Sequence, residues 1–555
     1  MGYLKIVLPI LLLLIYVFWR NRRAFEQARR AQIKAAWGQV ANREYEYEEF
    51  ARISHYYKEK KGTHFSLDDI TWNDLSLDDV FKRINHTWSS VGEEYLYWML
   101  RTPQFDASVM CERERVIEVF RADRNMAMAM QEIYAQLGRA RRIALADYLY
   151  RLPDAPKLNG WRSLLQDILL VLGIVLMIAN QSIGLLLTIA MIVLNIITYY
   201  QQKAKVESYF ACVSYLLQLS KAGKKIAKMN VPQLHSYQVE LQNLEHRFLT
   251  IARKAIWITT GNRMSGTLWD MLMEYVRMIT HVDLLAFEQI RHLMQGMIED
   301  LDRLVEITGF LESCIAIASY RESISYYCAP ETIGENRLEV KDVYHPLVES
   351  PVANSICANK GVLLTGSNAS GKTTFLKTVA LAAVMSQTIH TVLAHSYHAP
   401  RYRIYSSMVL KDNLEKKESY YMVEIKALKR MLDAVFEGDT FVLCFVDEVL
   451  RGTNTVERIA ASAKLLESLS CKQVLPFAAT HDQELTELLK TCYDNYHFEE
   501  RMVEGDIIFP YQLMEGPART RNAIRLLAQV GYDEAIVSEA ERLAEHFTRE
   551  GVWEL

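Results

Sequence analysis

A glycine-rich segment of the chain has the residue types and spacing of a phosphate-binding loop. An apolar run at 362–364 precedes it and an amphipathic run at 375–385 follows it. Glycines let backbone N–H groups curl around phosphate oxygens, and a following helix directs its positive dipole end at the same anion. The order strand, glycine-rich loop, helix is the context that such a loop requires. The residues predicted to bind a nucleoside triphosphate are Gly366, Ser367, Asn368, Ala369, Ser370, Gly371, Lys372, Thr373 and Thr374.

Charged and hydroxyl side chains at the ends of three predicted strands supply the remaining chemistry. In the loop, the Lys372 ammonium would neutralise the β- and γ-phosphates, and the Thr373 hydroxyl would hold Mg²⁺. An apolar run ends in Asp447 and Glu448, of which the first would help to hold Mg²⁺ and the second would polarise the attacking water. Another run ends near His481, whose imidazole would hydrogen-bond the γ-phosphate or the water. Because the carboxyl ends of parallel strands meet at one edge of a sheet, these groups should converge.

Length and composition bound the class of protein. The chain has 555 residues, more than the roughly 250–300 at which a single core stops growing, so we expect at least two domains. The net charge of −4 and the pI near 6.4 exclude a global basic field, so any nucleic-acid surface must be local. The eight cysteines are scattered without a C-x-x-C pair. This pattern indicates reduced thiols rather than disulfides or structural zinc.

Two regions have the composition of membrane segments. Residues 6–19 are apolar and precede a cluster of arginines, which predicts an N-terminal anchor at 1–23 with its C-terminal side in the cytoplasm. A signal peptide is the alternative, but no small-residue cleavage site is visible and the positive cluster follows the apolar run. Residues 168–179 and 183–199 are separated by a short polar turn, which predicts a membrane hairpin at 163–200 with both ends cytoplasmic. A re-entrant dip remains open, as does a buried helix pair of a soluble core, although the latter would normally carry a polar face.

Periodicity predicts the organisation of the other regions. Helical patterns dominate residues 24–160 and 201–330, and the second of these regions would form a lever that joins the hairpin to the C-terminal part. A break at 259–262 suggests the tip between two antiparallel lever helices. From 336 to 530, short strands alternate with helices as in an α/β domain, and a final helical region occupies 531–555.

Several motifs together resemble the MutS family of DNA mismatch repair ATPases. They are the phosphate-binding loop with its asparagine, the S-x-x-M-V-E box at 419–424, the D-E-x-x-R-G-T box at 447–453 and the T-H pair at 480–481. The likeness extends to His345, near the family's adenine site. It reaches more weakly to residues 87–103, which are similar to the start of the family's lever domain.

The resemblance implies an α/β ABC-type P-loop ATPase domain preceded by an all-α lever domain, here with transmembrane helices. It implies ATP and Mg²⁺ as cofactors and a homodimer with composite sites, in which Ser419 reaches the γ-phosphate held by the partner subunit. The catalytic residues would then be Glu448, His481 and Ser419. The loop at 451–455 is similar to the family's subunit-contact loop, and a helix at 533–547 resembles its dimerisation tail. Double-stranded DNA and mismatch-repair-like proteins are the partners that the family implies, whereas membrane lipid follows from the predicted spans.

The sequence also departs from the family pattern. Few residues precede the lever-like region and the first of them are predicted anchor, so we expect no mismatch-reading domain here. That domain's Phe-x-Glu tripeptide occurs at 310–312, in a lever helix, and at 498–500, in the α/β region, and we assign it no role at either position. Ser367 replaces the family's usual proline, and Lys417-Glu418 replaces the usual Gly-Arg before the signature serine.

Two functions follow from these observations. The first is a membrane-tethered MutS-like ATPase whose lever closes on DNA, which the family resemblance favours. The second is an ABC-like mechanochemical ATPase that acts on a non-DNA membrane or protein cargo, which the net acidity and the expected lack of a reader domain favour. A non-catalytic scaffold is disfavoured because Lys372, Thr373, Asp447, Glu448 and His481 are all present. The predicted location is the cell membrane, with the soluble domains facing the cytoplasm.

Overall fold

Two compact units make up the chain in the computed structural model. The structure describes residues 2–41, 43–62, 64–140, 143–254, 268–367, 370–408, 420–435, 440–450, 454–503, 506–518, 524 and 531–550. The helical unit consists of Met1–Thr63, Lys82–Met99 and Glu112–Ser323, and the P-loop unit consists of His64–Phe81, Leu100–Cys111 and Ile324–Leu555. Three of the boundaries between the units fall inside helices, namely Leu77–Ile84, Ser90–Arg101 and Ala107–Ala122.

The described part of the helical unit is built from helices of six to 47 residues. Besides the three that it shares, they are Gly2–Ala36, Tyr47–Ile53, His55–Lys60, Arg124–Leu137, Leu145–Tyr150, Gly160–Ala179, Gln181–Ala227, His235–Lys254, Leu268–Thr280, Val282–Gln295 and Ile298–Ser323. Short 3-10 turns occur at Leu152–Asp154 and Pro232–Leu234. In the helix Ile298–Ser323, the apolar residues Leu304, Ile307 and Leu311 lie on the buried side, since they are at most 2% exposed. The predicted tip at 259–262 lies outside the described residues.

The predicted membrane hairpin is formed by Gly160–Ala179 and Gln181–Ala227, which we call the first and second arms. Both arms are long and apolar enough to cross a membrane, and most of each apolar stretch is not buried inside the protein. The arms pack tightly, because a Cβ atom on Gly184 would lie 2.3 Å from the backbone nitrogen of Met177. The second arm continues unbroken for 47 residues. The predicted end of the hairpin at residue 200 is therefore not the end of a helix.

The predicted N-terminal anchor lies within the helix Gly2–Ala36. The side chains of Leu12, Leu13 and Trp19 on this helix are about half exposed or more. The arginines that follow the apolar stretch belong to the same helix, so the apolar and basic segments form one continuous rod. Near the other end of the chain, the helix Glu534–Glu550 covers the predicted dimerisation helix.

The P-loop unit contains a six-stranded sheet in the order β12-β9-β4-β8-β7-β6 and a four-stranded sheet in the order β1-β5-β2-β3. The strands are β1 Glu331–Thr332, β2 Leu338–Val343, β3 Asn354–Ala358, β4 Gly361–Thr365, β5 Ser396–Ala399, β6 Tyr402–Ser407, β7 Phe441–Asp447, β8 Val474–Ala479, β9 Tyr493–His497, β10 Arg501–Val503, β11 Asp506–Ile508 and β12 Met514–Glu515. In the larger sheet, β6, β7, β8, β4 and β9 are parallel, and β12 is an antiparallel edge. β10 and β11 form a separate antiparallel pair. The helices of this unit are Asp69–Asp74, Lys372–Thr388, Tyr420–Val435, Thr455–Leu469, Glu484–Leu488 and Glu534–Glu550.

The strand register explains why the predicted site residues meet. β4 pairs with β8 through Leu364 and Ala479, and β7 pairs with β8 through Asp447 and Ala479. The carboxyl ends of the three central strands are therefore level with one another. β4 and β8 are buried along their whole length, and β7 is buried from Val442 onward, as expected for a parallel sheet covered on both faces.

A segment from far upstream completes the P-loop unit. Residues 64–81 pack against β6 of the larger sheet. The sequence pattern predicts them as part of the helical region at 24–160. The buried Asp74 accepts hydrogen bonds from Ser406 Oγ at 2.7 Å and from the backbone N–H of Met408 at 2.9 Å. Asp68 forms an ion pair with Arg430 at 2.7 Å. The contacts that hold the end of β6 thus come partly from the N-terminal third of the chain.

Candidate functional site

The glycine-rich loop follows β4 and leads into the helix Lys372–Thr388, the P-loop helix. Gly366 has a φ angle of +144°, and a Cβ atom there would lie 2.4 Å from the carbonyl oxygen of Phe498. Phe498 is itself held beside β4, because its N–H donates to Thr365 O at 3.0 Å. Only glycine meets both conditions, so this position is determined by close backbone approach.

Lys372 lies where the sequence predicts a phosphate-neutralising ammonium. Its Nζ donates hydrogen bonds to the carbonyl oxygens of Gly366 and Ser367, both at 2.8 Å, and lies 3.5 Å from Nε2 of His481. These two carbonyl groups therefore hold the ammonium beside the phosphate-binding loop. The residue is 5% exposed, so its charge acts in a partly desolvated site where electrostatic attraction to phosphate is strong.

Thr373 and Asp447 form the predicted metal position. The Thr373 hydroxyl donates to Oδ2 of Asp447 at 2.5 Å, which joins the start of the P-loop helix to the end of β7. A hydroxyl and a carboxylate are oxygen donors of the kind that Mg²⁺ takes, and Mg²⁺ is usually held by one or two protein groups with phosphate and water completing its shell. The donor set thus fits Mg²⁺ bound together with a triphosphate.

Glu448 and His481 face each other at the ends of β7 and β8. Nε2 of His481 lies 3.0 Å from Oε1 of Glu448. Glu448 has a left-handed backbone with φ of +53°, and its N–H donates to Ala479 O at 2.9 Å. A left-handed conformation at a non-glycine residue is typical of functional turns that the surrounding structure holds in place. Here it turns the second carboxylate away from the strand and toward the imidazole.

A cavity of about 480 Å³ opens beside these groups. Its lining includes Ser367, Ser370, Gly371, Lys372, Thr373, Thr374 and Glu448 on one side and His345, Val348, Pro351, Val352 and Tyr511 on the other. His345 is fixed at the rim, because its Nδ1 accepts from the N–H of Leu347 at 3.1 Å. His481 and Asp447 reach this cavity through Glu448 and Thr373 rather than lining it. The polar and apolar ends suit the phosphates and the base of a nucleotide, respectively.

The hydroxyl of Ser370 also supports the assignment of this cavity to the phosphates of a nucleotide. Its hydroxyl is buried and has no hydrogen-bond partner among the described residues. A buried hydroxyl without a partner costs free energy, which a phosphate oxygen in the cavity would relieve. Asn368, Ala369 and Ser419, which the sequence also assigns to the site, lie outside the described residues. So do residues 451–453 of the predicted subunit-contact loop.

Three further residues contribute to the site, although the sequence motifs did not assign them to it. Oε1 of Glu424, from the helix Tyr420–Val435, accepts a hydrogen bond from the N–H of Leu450 and so holds the turn after Glu448. Glu500 accepts from Ser367 Oγ at 2.7 Å beneath the phosphate loop. Tyr511 closes the cavity opposite Gly371. The S-x-x-M-V-E box contained a signal for Glu424, whereas Glu500 and Tyr511 reach the site only through tertiary packing.

Each of the two Phe-x-Glu tripeptides has at least one residue that is buried and packed within its own unit. Glu312 is completely buried in the helical unit, where its carboxylate accepts from the N–H of Trp88 at 2.6 Å and from the hydroxyl of Ser89. Phe498 is buried next to the phosphate loop and Phe375, with ring centroids 5.7 Å apart. Neither tripeptide is an exposed wedge.

Comparisons with known proteins point to one family. A family model described as MutS domain V matches residues 362–548, which include the loop, β7, β8 and Tyr511. The DNA mismatch repair protein MutS of Thermus aquaticus is 30% identical over 263 residues, or 46% of this chain and 32% of that protein. The protein of the same name from Lactobacillus delbrueckii subsp. bulgaricus is 28% identical over 299 residues, or 52% of this chain and 34% of that protein. The chain thus spans about a third of the length of these relatives.

Proposed function

This chain is a MutS-family protein, and from that premise we propose that it binds and hydrolyses Mg·ATP as a homodimer tethered to a membrane. MutS-family members are ATPases, and the region matched by MutS domain V carries the phosphate-loop side of the cavity described above. The observation that supports the proposal most strongly is the convergence of Lys372, the Thr373–Asp447 pair and the Glu448–His481 pair at one edge of the sheet.

Each of these residues has a definable part in hydrolysis. The Lys372 ammonium would neutralise the β- and γ-phosphate oxygens, and Ser370 would donate a hydrogen bond to one of them. Thr373 and Asp447 would hold Mg²⁺, which supplies positive charge to the phosphates when bound. Glu448 would accept a hydrogen bond from the attacking water and orient it in line with the γ-phosphate. His481 would keep that carboxylate in position by donating its Nε2–H to Glu448 Oε1.

A second subunit completes the proposed site. Ser419 directly precedes the helix Tyr420–Val435, and Glu424 of that helix contacts the turn after Glu448. A movement of the helix Tyr420–Val435 on dimer closure would therefore shift the turn that carries the Glu448 carboxylate. Changing Ser419 to Ala should lower turnover while sparing ATP affinity. Full hydrolysis by a chain kept monomeric would contradict the composite site.

The membrane tether rests on the exposed apolar surfaces of the helical unit. In the first arm, Ile174 and Ile178 are 52% and 89% exposed, and in the second arm Leu186 is 72% exposed. Outside a membrane such a surface would expose a large apolar patch to water. The second arm would extend about 70 Å at 1.5 Å per residue, so it would carry a rigid connection from the bilayer into the lever.

Double-stranded DNA is the partner proposed first, because the similar proteins are named for DNA mismatch repair. The test is the ATPase rate of the purified full chain with and without duplex DNA over a salt series. Stimulation that fades steeply with salt is expected for a protein that neutralises phosphates. No stimulation and no DNA binding at low salt would remove DNA as the partner and leave the ATPase proposal intact.

A protein or lipid cargo is the second candidate partner. The continuous helix from the apolar arms into the helical unit favours it, because this helix would transmit dimer closure to the bilayer. The discriminating measurement compares ATPase rates in detergent, in zwitterionic vesicles and in native-lipid vesicles, each without DNA. A rate that depends on the bilayer and ignores DNA supports the cargo, and the reverse pattern supports DNA.

A further inference from the structure

An ion pair lies directly behind the Glu448–His481 contact. Arg458 on the helix Thr455–Leu469 donates two hydrogen bonds to the carboxylate of Asp482, from Nε at 3.0 Å and from Nη2 at 2.6 Å. Asp482 is the residue after His481. The side chains of Arg458 and Asp482 are only 24% and 13% exposed, so water screens the pair less than it would a surface pair. Neither residue lines the nucleotide cavity.

The pair joins two backbone segments that are each locally fixed. The helix that carries Arg458 starts at a capping residue, Asn454, whose side chain accepts from the N–H of Val456 at 3.0 Å. The segment that carries His481 is fixed by Thr480, whose Oγ1 accepts from the N–H of Asp482 at 3.0 Å. The guanidinium fork therefore ties the beginning of this helix to the loop that presents the imidazole.

His481 depends on this loop for its position. Its side chain is 37% exposed, and its contact with Glu448 is made by one ring nitrogen. Movement of the loop by an ångström would open the 3.0 Å contact with Glu448, and misplacement on that scale is costly for a reacting group. The helix tied to the loop begins at Thr455, the last residue of the predicted subunit-contact loop at 451–455.

We propose that Arg458 and Asp482 are positioning residues for hydrolysis, which hold His481 against Glu448 and link that contact to the start of the helix Thr455–Leu469. This inference rests on the proposed function. Neither residue lines the nucleotide cavity or belongs to the predicted metal position, so the pair acts on turnover through His481 rather than on ATP binding.

The charges around His481 give the pair a second effect. The imidazole is faced by Glu448 at 3.0 Å and by Lys372 at 3.5 Å, with Asp482 adjacent in the chain. Arg458 neutralises Asp482 and is attracted to Glu484 and Glu448 as well, and these hydrogen bonds and charges raise its pKa. Without Arg458, Asp482 and Glu448 would lose a nearby positive charge, so the surroundings of the imidazole would become more negative.

The experiment measures kcat, KM for ATP and the pH dependence of kcat in full-length R458A, R458K and D482N and in the double variant R458A/D482N. We expect kcat of R458A to fall by about tenfold to a hundredfold with KM changed by less than about twofold. We also expect the pH dependence of kcat to change in R458A, because a positive charge near the reacting groups is removed. R458K should recover part of kcat, and the double variant should lose no more than the worse single variant.

K464A is the matched control, because Lys464 is a largely exposed residue of the same helix that pairs with Glu467. Its kcat and pH profile should equal those of the unmodified protein. An unchanged kcat in R458A, a rise in KM that accounts for its loss, or additive losses in the double variant would each overturn the inference. If the unmodified protein hydrolyses no ATP, the proposed function fails first. If it hydrolyses ATP and R458A does so equally, only this inference fails.

Discussion

At the scale of single residues, the nucleotide cavity depends on residues that cannot be replaced without disturbing its geometry. Gly366 is pressed against the Phe498 carbonyl, Lys372 is held by two loop carbonyls, and Glu448 adopts a left-handed turn that brings it to His481. These contacts lie within one protomer, so nucleotide binding should be a property of each chain. Under the proposed function, hydrolysis should also require groups that a partner subunit would supply.

Gly366→Ala tests the close approach at the loop. The added methyl group would meet the Phe498 carbonyl oxygen at 2.4 Å with φ at +144°, so the loop must shift. We expect ATP affinity to fall at least about tenfold, measured by calorimetry, with the rest of the fold retained. Gly334→Ala is the control, because a Cβ there meets no atom within 4 Å. Equal ATP affinity in the two variants would show that the loop is not the phosphate site.

Glu448→Gln separates binding from hydrolysis. The amide keeps the size of the side chain but is a poor acceptor for the proton of an attacking water, so kcat should fall by about a hundredfold or more. ATP affinity should stay within a few-fold, and the nucleotide-bound dimer should accumulate in size-exclusion chromatography. Glu467→Gln, at an exposed carboxylate on a neighbouring helix, is the control. Retained turnover in E448Q would assign the water-positioning role to another group.

The residues of this cavity were predictable from sequence to different degrees. Lys372, Thr373 and Asp447 follow from motifs in which strand, loop and side chain are contiguous, and the structure brings them together. Glu500 and Tyr511 could not be predicted, because no local pattern marks a residue that arrives through the packing of a distant segment. Their positions depend on how the chain after β9 folds back over the loop.

At the scale of elements, helix boundaries and inter-helix contacts were the least predictable features. The apolar pattern ends near residue 200, yet the helix runs on to Ala227, because a change from apolar to polar composition does not break a helix when no proline interrupts it. The same limit applies to Glu312. Its helix was predicted, but not that its carboxylate would meet the backbone N–H groups at the start of the helix Ser90–Arg101.

The buried carboxylate makes the stability of the helical unit depend on pH. Burial raises the pKa of Glu312 from 4.5 to about 7, although hydrogen bonds from Ser89 and Trp88 oppose the rise. Because the folded-state pKa is raised, the stabilisation is fully present below pH 4.5 and is lost as the pH rises through about 7. We expect Glu312→Gln to flatten this dependence by roughly 1–3 kcal/mol between pH 5 and pH 8, measured by urea unfolding in detergent. An unchanged slope would place the titration on another group.

At the scale of the whole molecule, the chain combines a P-loop unit with a helical unit that carries the apolar surfaces. The division between units does not follow the linear order of the motifs, since residues 64–81 and 100–111 belong with the C-terminal part. Single-sequence patterns locate elements but not the partners they pack against, so this interleaving was not predictable. The two arms and the second arm's long extension are what a membrane-coupled machine would need.

Charges placed in the middle of the arms test the membrane proposal. Val171 and Ile189 are 59% and 52% exposed. In a chain from which the predicted N-terminal anchor at 1–23 has been removed, replacing both by lysine should cost several kcal/mol if they face lipid. This variant should leave the membrane fraction or become extractable at alkaline pH. Trp161→Lys, at the exposed start of the first arm, should remain membrane-bound. A double-lysine variant that stays in the membrane fraction under alkaline extraction would contradict lipid contact at these positions.

The central claim is that each chain grasps Mg·ATP through its phosphate loop, and equilibrium binding of Mg·ATP to the purified full-length protein tests it most directly. Lys372→Ala should weaken binding by about a hundredfold or more, because it removes the buried ammonium from the phosphates. Lys377→Ala, on the same helix but away from the cavity lining, should bind like the unmodified protein. Equal affinity of K372A and the unmodified protein, or no binding by either, would contradict the claim.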